Sequence, residues 1–244
     1  MKLMKHNFFL YTFIMSIIAL TSCDDGLIEE KTSTPTTTDT YTLQITGKIE
    51  GTDTWSGSYT VALACFDEGN EYAVIAKSLS SGTNDTITLK GVPSTATTAE
   101  IAVISPLRER IATLYSYDIP ADASKEDTLK IHMTEKLNAS MFAAINKQLF
   151  QGNNCSRCHQ GASPAAQLDL TTENAYSHIV NVPAHKQPDM MRIAPGDAEH
   201  SFLYKVITDP SVQLSYSHTG LFTDPVPQAF QQIMKSWIDS GAKE

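Results

Sequence analysis

The hydrophobic pattern of this chain changes period once, between residues 135 and 137, and that change limits what each half can become. From Tyr41 to about Glu135 apolar residues alternate with polar ones, the period of a pleated strand. Tyr41-Thr42-Leu43-Gln44-Ile45-Thr46-Gly47 is the cleanest case, while Tyr59 to Phe66 is apolar at nearly every position and reads as a strand buried on both faces. Further strands are predicted at Tyr72–Leu79, Thr86–Leu89, Glu100–Ser105, Arg110–Tyr117 and Thr128–Met133. Turn residues fall between them at Asp67-Glu68-Gly69-Asn70, Gly82-Thr83-Asn84-Asp85, Gly91-Val92-Pro93 and Ile119-Pro120.

From Leu137 the spacing becomes helical. Asn138 or Ser140 can cap a helix over 141–150, whose Met141, Ile145 and Leu149 share one stripe. Weaker helices are predicted at Glu173–Val180 and Ser201–Ile207. A last one, Pro227–Ser240, carries Phe230, Ile233, Met234, Trp237 and Ile238 on a broad apolar face, with Gly241 as its C-cap. The expected architecture is therefore multidomain: an all-β sandwich of Ig-like or transthyretin-like type over 41–135, then an all-α domain over 137–244.

The helical half contains Cys155-Ser156-Arg157-Cys158-His159. Two thiols two residues apart can add across the vinyl groups of a haem, and the histidine after them is carried under the porphyrin, where its ring nitrogen reaches iron. A redox CxxC belongs in a βαβ context at a helix N-terminus, whereas this one comes after a helix. A tetrahedral zinc site needs two further ligands at tight spacing, and neither a second CxxC nor an HxxxH exists.

The front of the chain carries an address. Lys2 and Lys5 precede an apolar run, Phe8–Leu20, too short for a comfortable membrane span and built like a secretory signal. It ends in Leu20-Thr21-Ser22-Cys23, which resembles the lipobox of bacterial lipoproteins. That resemblance implies a signal peptide over 1–22, a lipid on Cys23, and attachment to a membrane through it; the bland alternative is an uncleaved signal anchor. Residues 23–40 read as a Thr-rich tether with almost nothing to bury. Asp24, Asp25, Glu29 and Glu30 resemble an acidic export tag, which implies an outer-membrane lipoprotein facing the periplasm or the cell surface; in other bacteria an aspartate there retains the lipoprotein at the inner membrane. Removing Lys2 and Lys5 leaves 16 basic against 27 acidic residues, a net charge of −11, so no basic stripe exists to neutralise nucleic-acid phosphates. With Cys23, Cys155 and Cys158 committed to modification, Cys65 stands alone and no intrachain disulfide is expected.

Residues 141–244 resemble the small one-haem cytochrome c domains found at the ends of many exported bacterial proteins. The resemblance runs through Asn146–Phe150, Asn154–His159, Leu168-Asp169-Leu170, Val180-Asn181-Val182-Pro183, Arg192–Asp197, Ser201–Tyr204 and Trp237–Ala242, in family order. It implies one covalent haem c on Cys155 and Cys158, His159 as proximal iron ligand, and first and last helices that cross near Phe150 and Trp237. The family usually supplies a distal methionine before its closing helix. The equivalent stretch here, Tyr216-Ser217-His218-Thr219-Gly220, has none. His218 is then the candidate distal ligand, Met190 and Met191 are alternatives, and an open distal side is a third. The implied function is single-electron transfer by a lipid-anchored c-type cytochrome that meets a basic redox partner. The competing readings are a haem-dependent peroxidase or gas sensor with an open distal side, and a binding component of an outer-membrane assembly.

Overall fold

The computed structural model describes residues 39–244 apart from 56, 83, 153–154, 217 and 219–225, so the signal peptide and Cys23 lie outside the described residues. The alternation at Tyr41, Leu43 and Ile45 makes β1 (Thr40–Glu50) the centre of the first sheet, its apolar side chains buried on one face. β4 (Asn84–Pro93) lies antiparallel on one side of it, and β7 (Thr128–His132) lies parallel on the other. The second sheet is antiparallel throughout, in the order β3 (Ile75–Ser78), β2 (Thr60–Phe66), β5 (Thr98–Ile104), β6 (Arg110–Asp118).

Leu43, Ile45, Ile87 and Leu89 of the first sheet share one apolar cluster with Val61, Leu63, Cys65, Ile101 and Val103 of the second. β2 is buried on both faces because its other side chains, Ala62, Ala64 and Phe66, form a smaller cluster with Ala102 and Ile104. There the Arg110 guanidinium lies 3.9 Å from the centre of the Phe66 ring.

Beyond β7 the chain does not leave the first sheet. Leu137 and Asn138 form β8, parallel to Ile49 and Glu50 at the end of β1, a pairing that the alternation did not announce. Two glycines permit the close passage. A Cβ on Gly47 would meet that of Met133 at 2.7 Å. At Gly51 the backbone is left-handed (φ +84°), and a Cβ would stand 2.7 Å from the Ser140 nitrogen.

Ser140 then caps α1 (Met141–Ile145), its Oγ accepting the Ala143 N–H at 3.2 Å. The helix widens into a π-helical turn, Asn146–Gln151, and its expected stripe of Met141, Ile145 and Leu149 is buried. α2 (Ala175–Ile179), α3 (Phe202–Thr208) and α4 (Val226–Asp239) stand where helices were expected. Past α4, Gly241 N–H bonds the Ile238 carbonyl and Ala242 N–H the Trp237 carbonyl, closing the helix with a left-handed glycine.

The expectation of an all-α, cytochrome c-like second domain is overturned. Strands in two sheets dominate the described chain, and α1, α2 and α3 are five, five and seven residues long. Helices that short have little stability of their own and cannot form a bundle. Residues 180–201 are not helical but fold through single β-bridges, Val180 to Ile193, Pro183 to Met191 and Met191 to Ser201. The apolar faces of α1 and α4 join the same cluster as the two sheets, which runs from Tyr41 to Ala242. Phe150 and Trp237 are both fully buried in it, although the ring that meets Trp237 is Phe142, at 5.3 Å between centroids. The described residues from 39 to 244 accordingly fall in one compact unit. Among the described residues no helix is long and apolar enough to cross a membrane.

The close passage at Gly51 is testable. A Gly51→Ala variant must adopt a disfavoured left-handed backbone and displace the Ser140 main chain, a combined destabilisation of about 2–4 kcal/mol. The expected result is a melting temperature roughly 5–15 °C lower by circular dichroism.

Candidate functional site

The CxxCH segment begins where the π-helical turn ends. Cys155–Arg157 is a single 3-10 turn, with the Cys158 and His159 N–H groups both donating to the Cys155 carbonyl, at 3.3 and 3.1 Å. That turn places one thiol inward and one outward. Cys155 is half-buried, its Sγ donating to the Leu149 carbonyl at 3.5 Å, and burial pushes its thiol up to about 11. Cys158 is exposed, and both sulfurs are free.

The His159 ring is fixed from behind. Its Nδ1 stands 2.9 Å from the Ala165 carbonyl, which can only accept, so Nδ1 is the donor and Nε2 takes no part in that bond. This is the arrangement of a metal-binding histidine, whose second nitrogen is oriented by a backbone carbonyl. The loop that supplies the carbonyl is tied at both ends, Ala165 N–H to the Cys158 carbonyl at 3.0 Å and Leu170 N–H to the His159 carbonyl at 2.8 Å.

The structure brings His218 to the same place. The two imidazole centroids are 6.2 Å apart with their planes inclined by 36°. Tyr216 packs edge-on against His218 at 5.5 Å. The His218 Nδ1 is buried without a hydrogen-bond partner among the described residues. Burial, and secondly the nearness of His159, lower its pKa; the Tyr216 backbone opposes them weakly. The two lowering effects both favour the neutral ring.

Met190 and Met191 lie on the bridged segment between α2 and α3. The Met190 carbonyl accepts the Ala184 N–H, the Met191 carbonyl accepts the Phe202 N–H, and the Met191 side chain is 40 % exposed. His178 and His200 are engaged locally, His178 Nδ1 accepting the Asp169 N–H at 3.2 Å and His200 Nδ1 standing 2.8 Å from Asp197. Cys65 is wholly buried, and burial first, then Glu100, pushes its thiol to about 12, so it serves as a core side chain.

These residues fit a haem. Two imidazoles on opposite sides of one metal, each nitrogen about 2 Å from it, place their ring centres roughly 6.3 Å apart. The observed 6.2 Å agrees, and His218 Nδ1 is buried with no hydrogen-bond partner among the described residues. Among the described residues no group of three His, Cys, Asp or Glu side chains forms a cage for a bare ion. Two imidazoles suffice where porphyrin nitrogens fill the remaining positions.

Sequence reasoning named Arg192 only within a resembling stretch and gave it no role; it is 7 % exposed, lowered in pKa by burial, and lines an open cleft of about 430 Å³ beside His178 and Pro183. The available signal was a single cation inside the apolar run Met190-Met191-Arg192-Ile193-Ala194. No family model, no curated protein and no solved structure matches this chain.

The lowered pKa of His218 sets a pH dependence. The unfolded ring, at its ordinary value of about 6.5, binds the proton more readily than the folded one. Its contribution to stability is therefore complete above that value and lost as pH falls through the folded one. Asp169, Asp197, Asp209 and Glu50, all lowered by hydrogen bonds and nearby charges, act in a more acidic window. Melting of the haem-free chain between pH 7 and 5 should show stability declining with acid, and His218→Asn should flatten that slope.

Proposed function

We propose that this chain binds one covalent haem c through Cys155 and Cys158 and transfers single electrons while tethered to a membrane by lipid on Cys23. The observation that carries the reading is the His218 ring 6.2 Å from the His159 ring, centre to centre, a separation that two imidazoles sharing one metal would have. The haem, when bound, supplies an iron that cycles between ferric and ferrous states. Such attachment does not need the all-α fold; it needs two thiols on one turn and an oriented imidazole after them.

Each residue has a separate task. Cys155 and Cys158 provide the thioether sulfurs, one sheltered and one at the surface. His159, held through Nδ1 by the Ala165 carbonyl, would be the first iron ligand. His218 would supply the second iron ligand and so would leave small molecules no open position on the metal. A nitrogen there, in place of the softer methionine sulfur, favours the ferric state and a lower potential. With a net charge of −11 after signal removal, the surface suits transient docking of a basic redox protein. The acidic residues after Cys23 support an outer-membrane address on the periplasmic or cell-surface side.

The test is the full chain expressed with haem-attachment machinery. The wild type should carry covalent haem, show a low-spin spectrum in both oxidation states, and fail to bind carbon monoxide rapidly when reduced. Cys155→Ala with Cys158→Ala should abolish covalent attachment. His218→Ala should yield a high-spin species that binds carbon monoxide. Rapid carbon monoxide binding by the wild type would favour the peroxidase or gas-sensor reading, and absence of haem would overturn both.

A further inference from the structure

We propose that Arg192 is a positioning residue for His159: its buried guanidinium clamps the turn Ala165–Gln167, and that turn presents the carbonyl that orients the imidazole. The inference rests on the haem reading for its redox consequence, and on hydrogen bonds alone for its structural part.

Arg192 is pinned before its side chain does anything. Its N–H donates to the Val182 carbonyl at 2.7 Å and its own carbonyl accepts the Leu203 N–H at 2.9 Å. From that fixed base Nη1 donates to the His178 carbonyl at 2.7 Å, while Nη2 donates to both the Ala166 and Gln167 carbonyls, at 2.9 and 3.0 Å. Among the described residues no carboxylate forms an ion pair with it. A buried cation held by three carbonyls and no acid costs more to desolvate than an ordinary core residue, so its place needs a reason.

The turn supplies one. Ala166 and Gln167 both have left-handed backbones, φ 56° and 53°, and neither is glycine. Successive residues with a Cβ do not settle in that region unaided. Here the two strained residues aim their carbonyls at a single guanidinium nitrogen, which holds them there. The residue immediately before them is Ala165, whose carbonyl accepts the His159 Nδ1 proton at 2.9 Å. The linkage therefore runs from the Arg192 cation to the Ala166 and Gln167 carbonyls, through one peptide unit to the Ala165 carbonyl, and on to the His159 ring. A hydrogen bond at Nδ1 fixes the ring's rotation and makes the opposite nitrogen more basic. A more basic ligand favours ferric iron, so loosening the clamp should favour ferrous.

The experiment compares full-length holoprotein carrying Arg192→Gln with wild type, reading the ferrous-to-ferric ratio at a fixed ambient potential and the exchange of the His159 Nδ1 proton by NMR. The expected result is a several-fold rise in the ratio and faster proton exchange. Adding Ala166→Gly and Gln167→Gly to Arg192→Gln should recover most of both, because glycine holds a left-handed turn without a clamp. Ile193→Ala, which empties a fully buried neighbour without touching the turn, should lower stability and move neither readout. Unchanged ratio and exchange in Arg192→Gln, or equal shifts in Ile193→Ala, overturn the proposal. If Arg192→Gln yields no holoprotein, recovery of holoprotein by the two glycines supports it and non-recovery overturns it. If wild type takes up no haem, the haem reading fails instead. Proton exchange in the haem-free chain then decides the clamp alone: faster in Arg192→Gln supports it, and unchanged overturns it.

Discussion

The site depends on how the segment Met141–Gln151 is fastened to the free edge of the second sheet. β6 is the last strand of that sheet, and a β-bulge interrupts its pairing with β5 between Thr113 and Tyr115. A bulge leaves backbone groups without ladder partners, and an open edge is a liability until something covers it. Lys147 Nζ takes the Leu114 carbonyl at 2.9 Å and Gln148 Nε2 takes the Thr113 carbonyl at 3.2 Å. One turn of helix thus satisfies the sheet edge and is immobilised by it, and Cys155 comes soon after. Trp55 Nε1 on the Ala139 carbonyl and Thr54 Oγ1 on the Met141 N–H fix the start of the same segment.

The π-helical register of Asn146–Gln151 belongs to that fastening. A widened turn lets Lys147 and Gln148 reach the sheet while Leu149 and Phe150 stay in the core. It also frees side chains to tie the turn to residues 170–172, beyond the CxxCH segment. Asn146 Nδ2 donates to the Thr172 carbonyl, and Gln151 Nε2 donates to the Leu170 carbonyl at 2.6 Å. The loop carrying Ala165 is therefore bracketed by the helix on one side and by Arg192 on the other.

The parts of the fold that were legible in the chain are those set by local interactions. Strict alternation identified β1, and continuous apolarity identified β2 as buried on both faces, because strand faces are set by a period of two. β8 was illegible: two residues carry no pattern, and the pairing exists only because Gly47 and Gly51 let the backbones approach. The helices were found near their true positions, but the inference from helices to an all-α domain failed. Motif order says nothing about which surface closes an apolar face, and here the sheets close it. At the site, Cys155, Cys158 and His159 were visible as a motif and His218 only as an occupant of the place where a methionine was missing. The Ala165 carbonyl could not be read from residue identity at all, since every residue has one.

The two imidazoles differ in how they are held, and the difference has a physical logic. His159 is oriented by a carbonyl six residues away and has one nitrogen committed, so its direction is part of the local fold. His218 has a buried nitrogen with no partner among the described residues, a state that costs free energy wherever nothing else satisfies it. The burial that lowers its affinity for protons is the same burial that preserves its lone pair near neutral pH. A ring in that condition gains more from a metal than a solvated one would, because a solvated ring must first give up its water. On the proposed reading the fold therefore sets one ligand rigidly and leaves the second unsatisfied, so that cofactor binding removes a strain the bare protein keeps. Residual polar strain of this kind collects where a structure serves something other than its own stability.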